Sequence, residues 1–424
     1  MLCFALEGIE AVPVTVEVDV SPGIPVFELV GLPDAAVRES RERVRAAIRN
    51  GGWSFPAQRI TVNLAPAYTR KGGAGFDLAI ALGVLAAGGH LPPGALQGVA
   101  AAGEMALDGA LRPVRGALAM ALAARGAPCA ALIVPAENAG EAALAGGTVL
   151  AATHLADVVA HLAGTGRLPV AVAPASTKPS GGSLPDLADI KGQLIARRAL
   201  EVAAAGGHNL FLVGPPGAGK SLLARCLPAI LPALAPDEAL EVSRIHSVAG
   251  QLPGGRLMKT RPFRSPHHCA SRPAILGGGS PIRPGEVTLA HRGVLFLDEL
   301  PEFARQVLEG LRQPLEEGRV LLSRAQGSAT FPARPMLVAA ANPCPCGYLG
   351  DSTHACTCSS MAITLYRSRL SGPLLDRFDI QLYLAPVPYE HFTAASETGG
   401  AESSRVVRTR VERARAVQTA RFRE

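Results

Sequence analysis

Aromatic residues are scarce in this sequence of 424 residues. Phe, Trp and Tyr together make up 4% of it, and Trp53 is the single tryptophan. A core with so few rings has to be built mainly from Ala, Leu and Val. Hydrophobic residues nevertheless reach 48% and charged residues 18%, which excludes a mostly disordered chain. At this length we expect two or three domains.

A segment able to cross a membrane or direct export is also lacking. The longest stretch without Asp, Glu, Lys or Arg, residues 78–103, is interrupted by GGHLPP, which favours a buried helix, a loop and a strand. The first ten residues have no basic region and already contain Glu7. We therefore expect a cytoplasmic protein without a membrane partner.

The sequence does not carry a strong charge of one sign. Lys and Arg number 41 against 35 Asp and Glu, a net charge of +6. Residues 405–424 contain seven Arg and two Glu, so most of the excess lies in that stretch. This distribution excludes a basic coat over the whole protein but is compatible with a local basic surface.

The composition divides the chain into four segments. Residues 1–168 begin with EAVPVTVEVDV, whose alternating apolar and polar positions predict a strand, and continue as an α/β pattern. Residues 169–185 are rich in Pro, Ser, Gly and Ala, as is typical of a linker. A second α/β domain is predicted over 186–390. Residues 391–424 combine a polar stretch with a helix candidate, SRVVRTRVERARAVQTARFRE.

The sequence GPPGAGKS at residues 214–221 matches the phosphate-binding pattern G-x-x-x-x-G-K-[ST]. It follows an apolar strand, NLFLV, and precedes a helix, SLLARCLPAI, which is the context that this motif requires. Loop amides and the helix N-terminus together favour bound phosphate. We expect Lys220 to reach the β- and γ-phosphates of ATP and Ser221 to bind Mg²⁺. The candidate phosphate-binding residues are Gly214, Pro215, Pro216, Gly217, Ala218, Gly219, Lys220 and Ser221.

Two further predicted strands end in polar side chains. VLFLDE is a Walker B pattern, in which we expect Asp298 to hold Mg²⁺ and Glu299 to polarise the attacking water. PMLVAAANP ends at Asn342, whose side chain is a candidate for orienting that water. A turn-forming Asn before Pro343 is the alternative.

The long segment between Lys220 and Asp298 contains a basic loop. Around Phe263 the loop carries Lys259, Arg261, Arg264, His267, His268 and Arg272. Such a loop suits a nucleic-acid backbone, although ring closure or nucleotide contacts from a neighbouring subunit fit equally well. Downstream, RVLLSRAQGSATFPA predicts a β-hairpin that carries Arg319 and Arg324. A solvent-exposed hairpin without a partner is the alternative.

Four of the eight cysteines lie within fifteen residues, with His354 nearby. Their spacing is C-x-C-x₉-C-x-C, and the candidate ligands are Cys344, Cys346, Cys356 and Cys358. Four thiolates in one loop suit tetrahedral Zn²⁺, although C-x-x-C is the more usual spacing. A reduced loop of packed thiols is the alternative, and no feature favours an iron–sulfur cluster.

The P-loop together with LFLDEL, AAANPCPCGY and SGPLLDRFDI resembles the AAA+ superfamily, in the clade of the magnesium chelatase ATPase subunit and the MCM helicases. The resemblance implies a parallel-sheet ATPase module in a ring, a hexamer, with Asn342 as sensor 1. It further implies that the hairpin lies in the central pore of the ring, with Arg319 and Arg324 as candidate pore contacts. It also implies that Arg377 is an arginine finger for a neighbouring subunit. A surface Arg paired with Asp376 or Asp379 is the alternative.

The N-terminal segments VNLAPAYTRKGGAGFDLAIALGVLAA and GEMALDGALRPVRGALAMALAA resemble the Lon-protease-like domain. Lon enzymes use a Ser/Lys pair, and the corresponding positions fall at Ala74 and near Leu118. The resemblance therefore implies a catalytically inactive domain. Arg70 and Lys71 are candidates for binding an anion, but a plain loop is favoured.

The order of these two domains is similar to the ComM/YifB family. Its members continue into a helical lid with a sensor 2 arginine, and residues 391–424 resemble an incomplete start of that lid. The resemblance implies a motor that promotes branch migration of single-stranded or branched DNA in recombination during natural transformation. The alternatives are a chelatase-type ATPase subunit that drives metal insertion, against which the N-terminal domain argues, and a non-hydrolysing ATP-binding scaffold.

Overall fold

The computed structural model describes residues 1–174, 184–279, 282–324, 327–351, 354–386 and 402–421. The described residues group into two compact units. The first comprises Met1–Thr177, Leu240–Met258 and Ser323–Ala329, and the second Lys178–Ala239, Lys259–Leu322 and Thr330–Glu424. Most of the predicted linker and the polar stretch expected before the last helix lie outside the described residues, so the domain boundaries stay a prediction.

The N-terminal part of the chain alternates strands and helices. Its strands are β1 (Leu2–Glu7), β2 (Glu10–Ser21), β3 (Phe27–Val30), β4 (Arg59–Ala65), β5 (Val99–Ala101), β6 (Glu104–Met105), β7 (Leu111–Arg112), β8 (Ala131–Pro135) and β9 (Val149–Ala152). Its helices are α1 (Ala35–Asn50), α2 (Asp77–Ala87), α3 (Ala117–Gly126), α4 (Ala136–Ala143) and α5 (Leu155–Leu162).

Seven of these strands form one mixed sheet in the order β3-β4-β2-β1-β5-β8-β9. The predicted strand EAVPVTVEVDV is β2. Asp34 caps α1, because its Oδ1 accepts a hydrogen bond from the amide of Val37 at 2.8 Å. Helix α2 is buried from Asp77 to Leu85, as its unbroken apolar sequence predicts. The predicted α/β fold of this part of the chain is confirmed.

A second series of elements begins after residue 184. Its strands are β10 (Leu210–Val213), β11 (Phe263–Arg264), β12 (Gly277–Gly278), β13 (Arg283–Pro284), β14 (Val294–Leu297), β15 (Arg319–Arg324), β16 (Gly327–Pro332), β17 (Met336–Ala341) and β18 (Ile380–Tyr383). Its helices are α6 (Leu194–Gly206), α7 (Lys220–Ile230), α8 (Pro236–Ala249), α9 (Arg272–Leu276), α10 (Glu286–Leu289), α11 (Arg305–Gly310), α12 (Arg312–Glu317), α13 (Ser360–Ser368), α14 (Gly372–Leu375) and α15 (Ser404–Arg421). Short 3-10 helices cover Ala74–Phe76, Leu187–Asp189, Pro253–Gly255 and Leu300–Glu302.

Five strands of the second unit form a parallel sheet in the order β11-β14-β17-β10-β18. The strands β10, β14 and β17 are buried at every position, which explains why their sequences are continuously apolar. Because all five strands run in one direction, their carboxyl ends lie at one edge. Ligands of open parallel sheets bind at that edge.

The helix predicted near the end of the chain is α15, and it packs on α6 and α7. Val407 and Val411 supply its buried face, while Arg410 lies 2.6 Å from a carboxylate oxygen of Glu201 and 2.6 Å from one of Glu402. Among the described residues, no helix is both long enough and apolar enough to span a membrane.

Candidate active site

The predicted phosphate-binding loop connects β10 to α7. The strand ends at Val213, immediately before Gly214, and the helix begins at Lys220. Between them Gly217 and Gly219 adopt φ values of 80° and 86°, a left-handed conformation that favours glycine. A strand, a glycine turn and a helix N-terminus with unpaired amides form an arrangement that binds phosphate.

The ammonium group of Lys220 lies among three oxygen acceptors. Its buried side chain donates from Nζ to the carbonyls of Gly214 at 2.6 Å and Pro215 at 2.9 Å, and to Asn342 Oδ1 at 3.0 Å. Burial lowers the pKa of Lys220 from its ordinary value, and two nearby carboxylates oppose this shift. These contacts hold the ammonium group beside the backbone of the P-loop.

Ser221 and Asp298 form a second contact across the site. Ser221 Oγ, in the first turn of α7, donates to Asp298 Oδ2 at 2.6 Å, and Asp298 directly follows β14. Hydroxyl and carboxylate oxygens are the ligands that Mg²⁺ prefers. The donor set at this point fits Mg²⁺.

Glu299 lies beside this pair in an unusual backbone conformation. Its φ is 52°, which is uncommon for a residue other than glycine, and its amide donates to Asp298 Oδ1 at 2.9 Å. Its half-exposed carboxylate lies 3.1 Å from Nδ1 of His268. The backbone turn and the contact with His268 together fix where this carboxylate lies.

Asn342 directly follows β17, the third strand whose carboxyl end lies at this site. Because β17 lies between β10 and β14, its carboxyl end brings Asn342 between the P-loop and Asp298. Tyr366 of α13 bonds to the backbone of Asn342, and burial raises the pKa of the tyrosine hydroxyl to about 12. Four of the five predicted catalytic residues thus meet at one edge of the sheet.

Arg377, the fifth predicted residue, lies elsewhere. Its carbonyl accepts from Asn209 Nδ2 at 2.9 Å, and Asn209 immediately precedes β10, at the opposite edge of the sheet from the P-loop. Its guanidinium pairs with Glu316 rather than with Asp376 or Asp379, and its buried Nε has no hydrogen-bond partner among the described residues. The structure therefore does not bring Arg377 to the P-loop of the same chain.

The basic loop around Phe263 is only partly open to solvent. Arg264 forms two hydrogen bonds of 2.5 and 2.6 Å with Glu286, which raise the pKa of its guanidinium. Arg261 donates to Glu238 and to two backbone carbonyls, and burial lowers its pKa. Three of the predicted contacts stay exposed, namely Lys259, His267 and Arg272. The surface available to a nucleic acid is thus smaller than the sequence indicates.

The predicted hairpin is the two-stranded sheet of β15 and β16. Arg319 is exposed and pairs with Glu317 at 3.3 Å. The side chain of Arg324 and the turn at residues 325 and 326 lie outside the described residues. The role of both arginines as pore contacts stays a prediction.

The four clustered cysteines are brought together. Their sulfur atoms all lie within 4.8 Å of one another, and none of the four is in a disulfide. Backbone amides of Tyr348 and Thr357 donate to Cys346 and lower its pKa to about 6. His354 instead stacks on Tyr348, with ring centroids 4.9 Å apart. The four sulfurs are arranged as metal ligands would be.

Two contacts at this site were not predicted from the sequence. Gln193, at φ 50°, donates to the carbonyls of Ala218 at 3.3 Å and Ala385 at 2.8 Å, so it joins the P-loop to the end of β18. His268 was predicted only as part of the basic loop, yet it contacts Glu299. Histidine pairs such as His267–His268 carry no local signal for a partner 31 positions away in the chain.

The positions in the N-terminal domain that the sequence offers for catalysis or anion binding do not form such a site. Leu118 is fully buried in α3, and Ala74 begins a 3-10 helix, so neither position offers a nucleophile or a base. Lys71 is buried and donates to the carbonyl of Pro66, and burial lowers its pKa. Arg70 alone remains exposed. A plain loop, the favoured interpretation, describes this segment.

Comparison with known proteins covers nearly the whole chain. The family model "Magnesium chelatase, subunit ChlI" matches residues 186–392, and the model "Subunit ChlI of Mg-chelatase" matches residues 16–138. The chain is 46% identical to the competence protein ComM of Haemophilus influenzae over 419 residues, which are 98% of this chain and 81% of that protein.

Two further relatives are named YifB and are described as uncharacterized. The protein from Salmonella typhimurium is 45% identical over 95% of this chain and 79% of its own length. The protein from Escherichia coli is 46% identical over 96% of this chain and 79% of its own length.

Proposed function

The chain belongs to the ComM/YifB family of magnesium chelatase-like AAA+ proteins, and we propose that it is an ATP-hydrolysing ring motor that acts on DNA. The supporting observation is the meeting of three strand ends, where Lys220 contacts Asn342 and Ser221 contacts Asp298. The work of the motor is branch migration in recombination during natural transformation. The ComM relative is named as a competence protein, which agrees with this role.

In the proposed reaction, the P-loop amides and Lys220 bind the phosphates of ATP. Ser221 and Asp298 hold Mg²⁺, which supplies neutralisation of charge on the β- and γ-phosphates. Glu299 polarises the attacking water and accepts its proton, and Asn342 orients that water. The water oxygen bonds to the γ-phosphorus as the bond to the β–γ bridging oxygen breaks, releasing ADP and phosphate. Zn²⁺ takes no part in this chemistry.

In the proposed ring, Arg377 acts on a neighbouring subunit. Its position at the sheet edge opposite the P-loop suits a contact with the nucleotide of a neighbouring subunit. There the guanidinium exchanges Glu316 for a phosphate oxygen and stabilises charge in the transition state. We propose a hexamer in which each site is completed in this way.

DNA contact is proposed through exposed cations of the second unit. Lys259 and Arg272 are solvent-exposed, as is Arg319 on the β15–β16 sheet. Cations that replace counterions on phosphates make the affinity fall with rising salt concentration.

A chelatase-type ATPase subunit is the second candidate, because both matching family models are named for a magnesium chelatase subunit. Because the second of these models matches residues 16–138, the presence of the N-terminal domain does not argue against a chelatase-type role. A non-hydrolysing scaffold is the third candidate.

ATP turnover with and without single-stranded and four-way-junction DNA tests the proposal. We expect DNA to stimulate turnover, a salt-dependent affinity for DNA, and loss of turnover in Glu299→Gln. Turnover that DNA leaves unchanged would overturn the DNA motor in favour of the chelatase-type role. Binding of ATP without turnover would favour the scaffold.

A further inference from the structure

The loop between Asn342 and α13 contains four thiols that the proposed hydrolysis does not use. The sulfur atoms of Cys344 and Cys346 are 3.3 Å apart, those of Cys344 and Cys356 3.7 Å, and those of Cys346 and Cys356 3.5 Å. Four sulfurs bound tetrahedrally at about 2.3 Å from one ion lie about 3.8 Å from each other. A disulfide would need about 2.05 Å. These three distances, with all four sulfurs within 4.8 Å of one another, are close to the spacing of ligands around a single ion.

Backbone amides lie against two of the sulfur atoms in this cluster. The amide of Cys346 donates to Cys358 Sγ at 3.3 Å, and Cys346 accepts from the amides of Tyr348 and Thr357. Such hydrogen bonds orient metal-bound thiolates and stabilise their charge. Soft sulfur ligands in a tetrahedron select Zn²⁺ or iron–sulfur clusters. Clusters place inorganic sulfides between their irons and spread the cysteines more widely, so the close spacing favours Zn²⁺.

The same loop lies directly against the P-loop. Gly347 has φ 88°, and a Cβ atom at this position would lie 2.7 Å from Cδ and 2.9 Å from Cγ of Pro216. The amide of Gly347 donates to the carbonyl of Cys344 at 3.0 Å. Asn342, two residues before Cys344, bonds to Lys220. The backbone that joins the cysteines therefore supports two parts of the nucleotide site.

We propose that Cys344, Cys346, Cys356 and Cys358 bind one structural Zn²⁺, and that this ion keeps the loop in contact with Pro216 so that nucleotide affinity depends on bound zinc. The dependence on nucleotide rests on the proposed ATP site, whereas the metal site does not. Without the ion, the two C-x-C pairs have no shared bond to hold them together, and the contact of Gly347 with the P-loop loosens.

Metal content is the first measurement. Elemental analysis of the purified full chain should find about one zinc per chain, and cobalt in its place should give the thiolate charge-transfer bands and red absorption of a tetrahedral site. The double variant Cys356→Ser/Cys358→Ser should lose the metal, while Cys129→Ser, outside the cluster, should keep it. Zinc-free protein after growth and purification with zinc supplied would overturn the metal site.

Nucleotide affinity is the second measurement, made with a fluorescent ATP analogue and Mg²⁺. The double cysteine variant should bind at least about tenfold more weakly than Cys129→Ser, comparable with the effect of outer-shell changes on metal sites. Gly347→Ala keeps all four thiols, so it should retain zinc and still lose affinity. Unchanged affinity in both variants, with circular dichroism showing them folded, would overturn the coupling.

Lys220→Ala separates this inference from the proposed function. We expect that variant to lose nucleotide binding and to keep its zinc. If the unmodified chain binds zinc but no nucleotide, the proposed ATPase fails while the metal assignment stands.

Discussion

Lys220 and Asn342, 122 positions apart in the chain, are joined by a hydrogen bond of 3.0 Å between Nζ and Oδ1. This bond exists because the parallel order of the sheet places the end of β17 beside the end of β10. It links the residue expected to bind phosphate to the residue expected to orient water. A γ-phosphate bound by Lys220 would therefore also lie near Asn342.

The first prediction concerns Asn342→Ala. Lys220 keeps its two carbonyl acceptors in this variant, so we expect ATP affinity to change by less than about threefold. Turnover should fall about 10²-fold, the usual effect of removing one positioned polar group from a transition state. Equilibrium binding and steady-state hydrolysis measure the two effects, with Asn63→Ala in β4, a half-buried residue of the N-terminal unit, as control. A large loss of affinity with normal turnover of bound ATP would contradict this role.

The second prediction concerns pH. Burial lowers the pKa of Lys220 below its ordinary 10.5, and bound phosphates raise it again because they stabilise the ammonium. Between these two pKa values the free protein binds fewer protons than the complex, so ATP affinity should fall as pH rises, starting below 10.5. Titration calorimetry at a series of pH values measures this.

Lys220→Arg is the control for the pH effect, because a guanidinium stays protonated over the whole accessible range. We expect weaker binding without the alkaline decline. Wild-type affinity that stays constant beyond pH 10.5 would show that the charge of Lys220 does not govern binding.

The third prediction tests whether Arg377 acts on a neighbouring subunit. Arg377→Ala should bind ATP normally and hydrolyse it at least about 10²-fold more slowly, as removal of an arginine finger does. Lys220→Ala should bind no ATP but still carry the arginine. Mixing the two variants should give more turnover than either alone, because mixed rings contain complete sites. A mixture no more active than its parts would exclude action between subunits.

The strands and the P-loop could be predicted from the sequence because their signals are local. NLFLV, VLFLDE and PMLVAAANP contain buried strands, the polar groups of the site follow each strand in the chain, and a parallel sheet brings the carboxyl ends of its strands to one edge. The pairing of His268 with Glu299 and the packing of Gly347 on Pro216 could not be predicted. Each of these two contacts joins segments that are far apart in the chain, and no local sequence pattern indicates which residue the partner is.

The partners of charged residues could not be predicted from the sequence either. The sequence marks Arg261 and Arg264 as parts of a basic loop, but Glu238 and Glu286 neutralise them in the folded chain. Likewise the sequence offers Asp376 and Asp379 as partners of Arg377, and the fold supplies Glu316. The sequence gives the number of charged residues, but only the folded structure shows which of them are free to contact a ligand or partner.

The fourth prediction concerns a buried ion pair in the N-terminal unit. Asp77 is fully buried, and its two oxygens lie 2.6 and 3.0 Å from the Arg43 guanidinium. Burial raises the pKa of Asp77, and Arg43 opposes that shift. Arg43→Met leaves the carboxylate without its partner, so the free energy of unfolding should fall by about 3–5 kcal/mol.

Denaturant unfolding of this unit measures the loss, with the double variant Arg43→Met/Asp77→Leu as comparison. Since the double variant removes both charges, its stability should recover most of the loss. ATP binding should stay normal in both. A single variant as stable as the unmodified chain would show that the pair contributes little.

Hydrolysis by Glu299→Gln, followed together with ATP binding, tests the central claim that Lys220, Asp298, Glu299 and Asn342 form a hydrolytic site at one edge of the sheet. The amide retains the shape of the side chain but cannot accept a proton from water. We expect this variant to bind ATP as tightly as the unmodified chain and to hydrolyse bound ATP at least about 10²-fold more slowly in a single turnover. Hydrolysis at the unmodified rate would contradict the account.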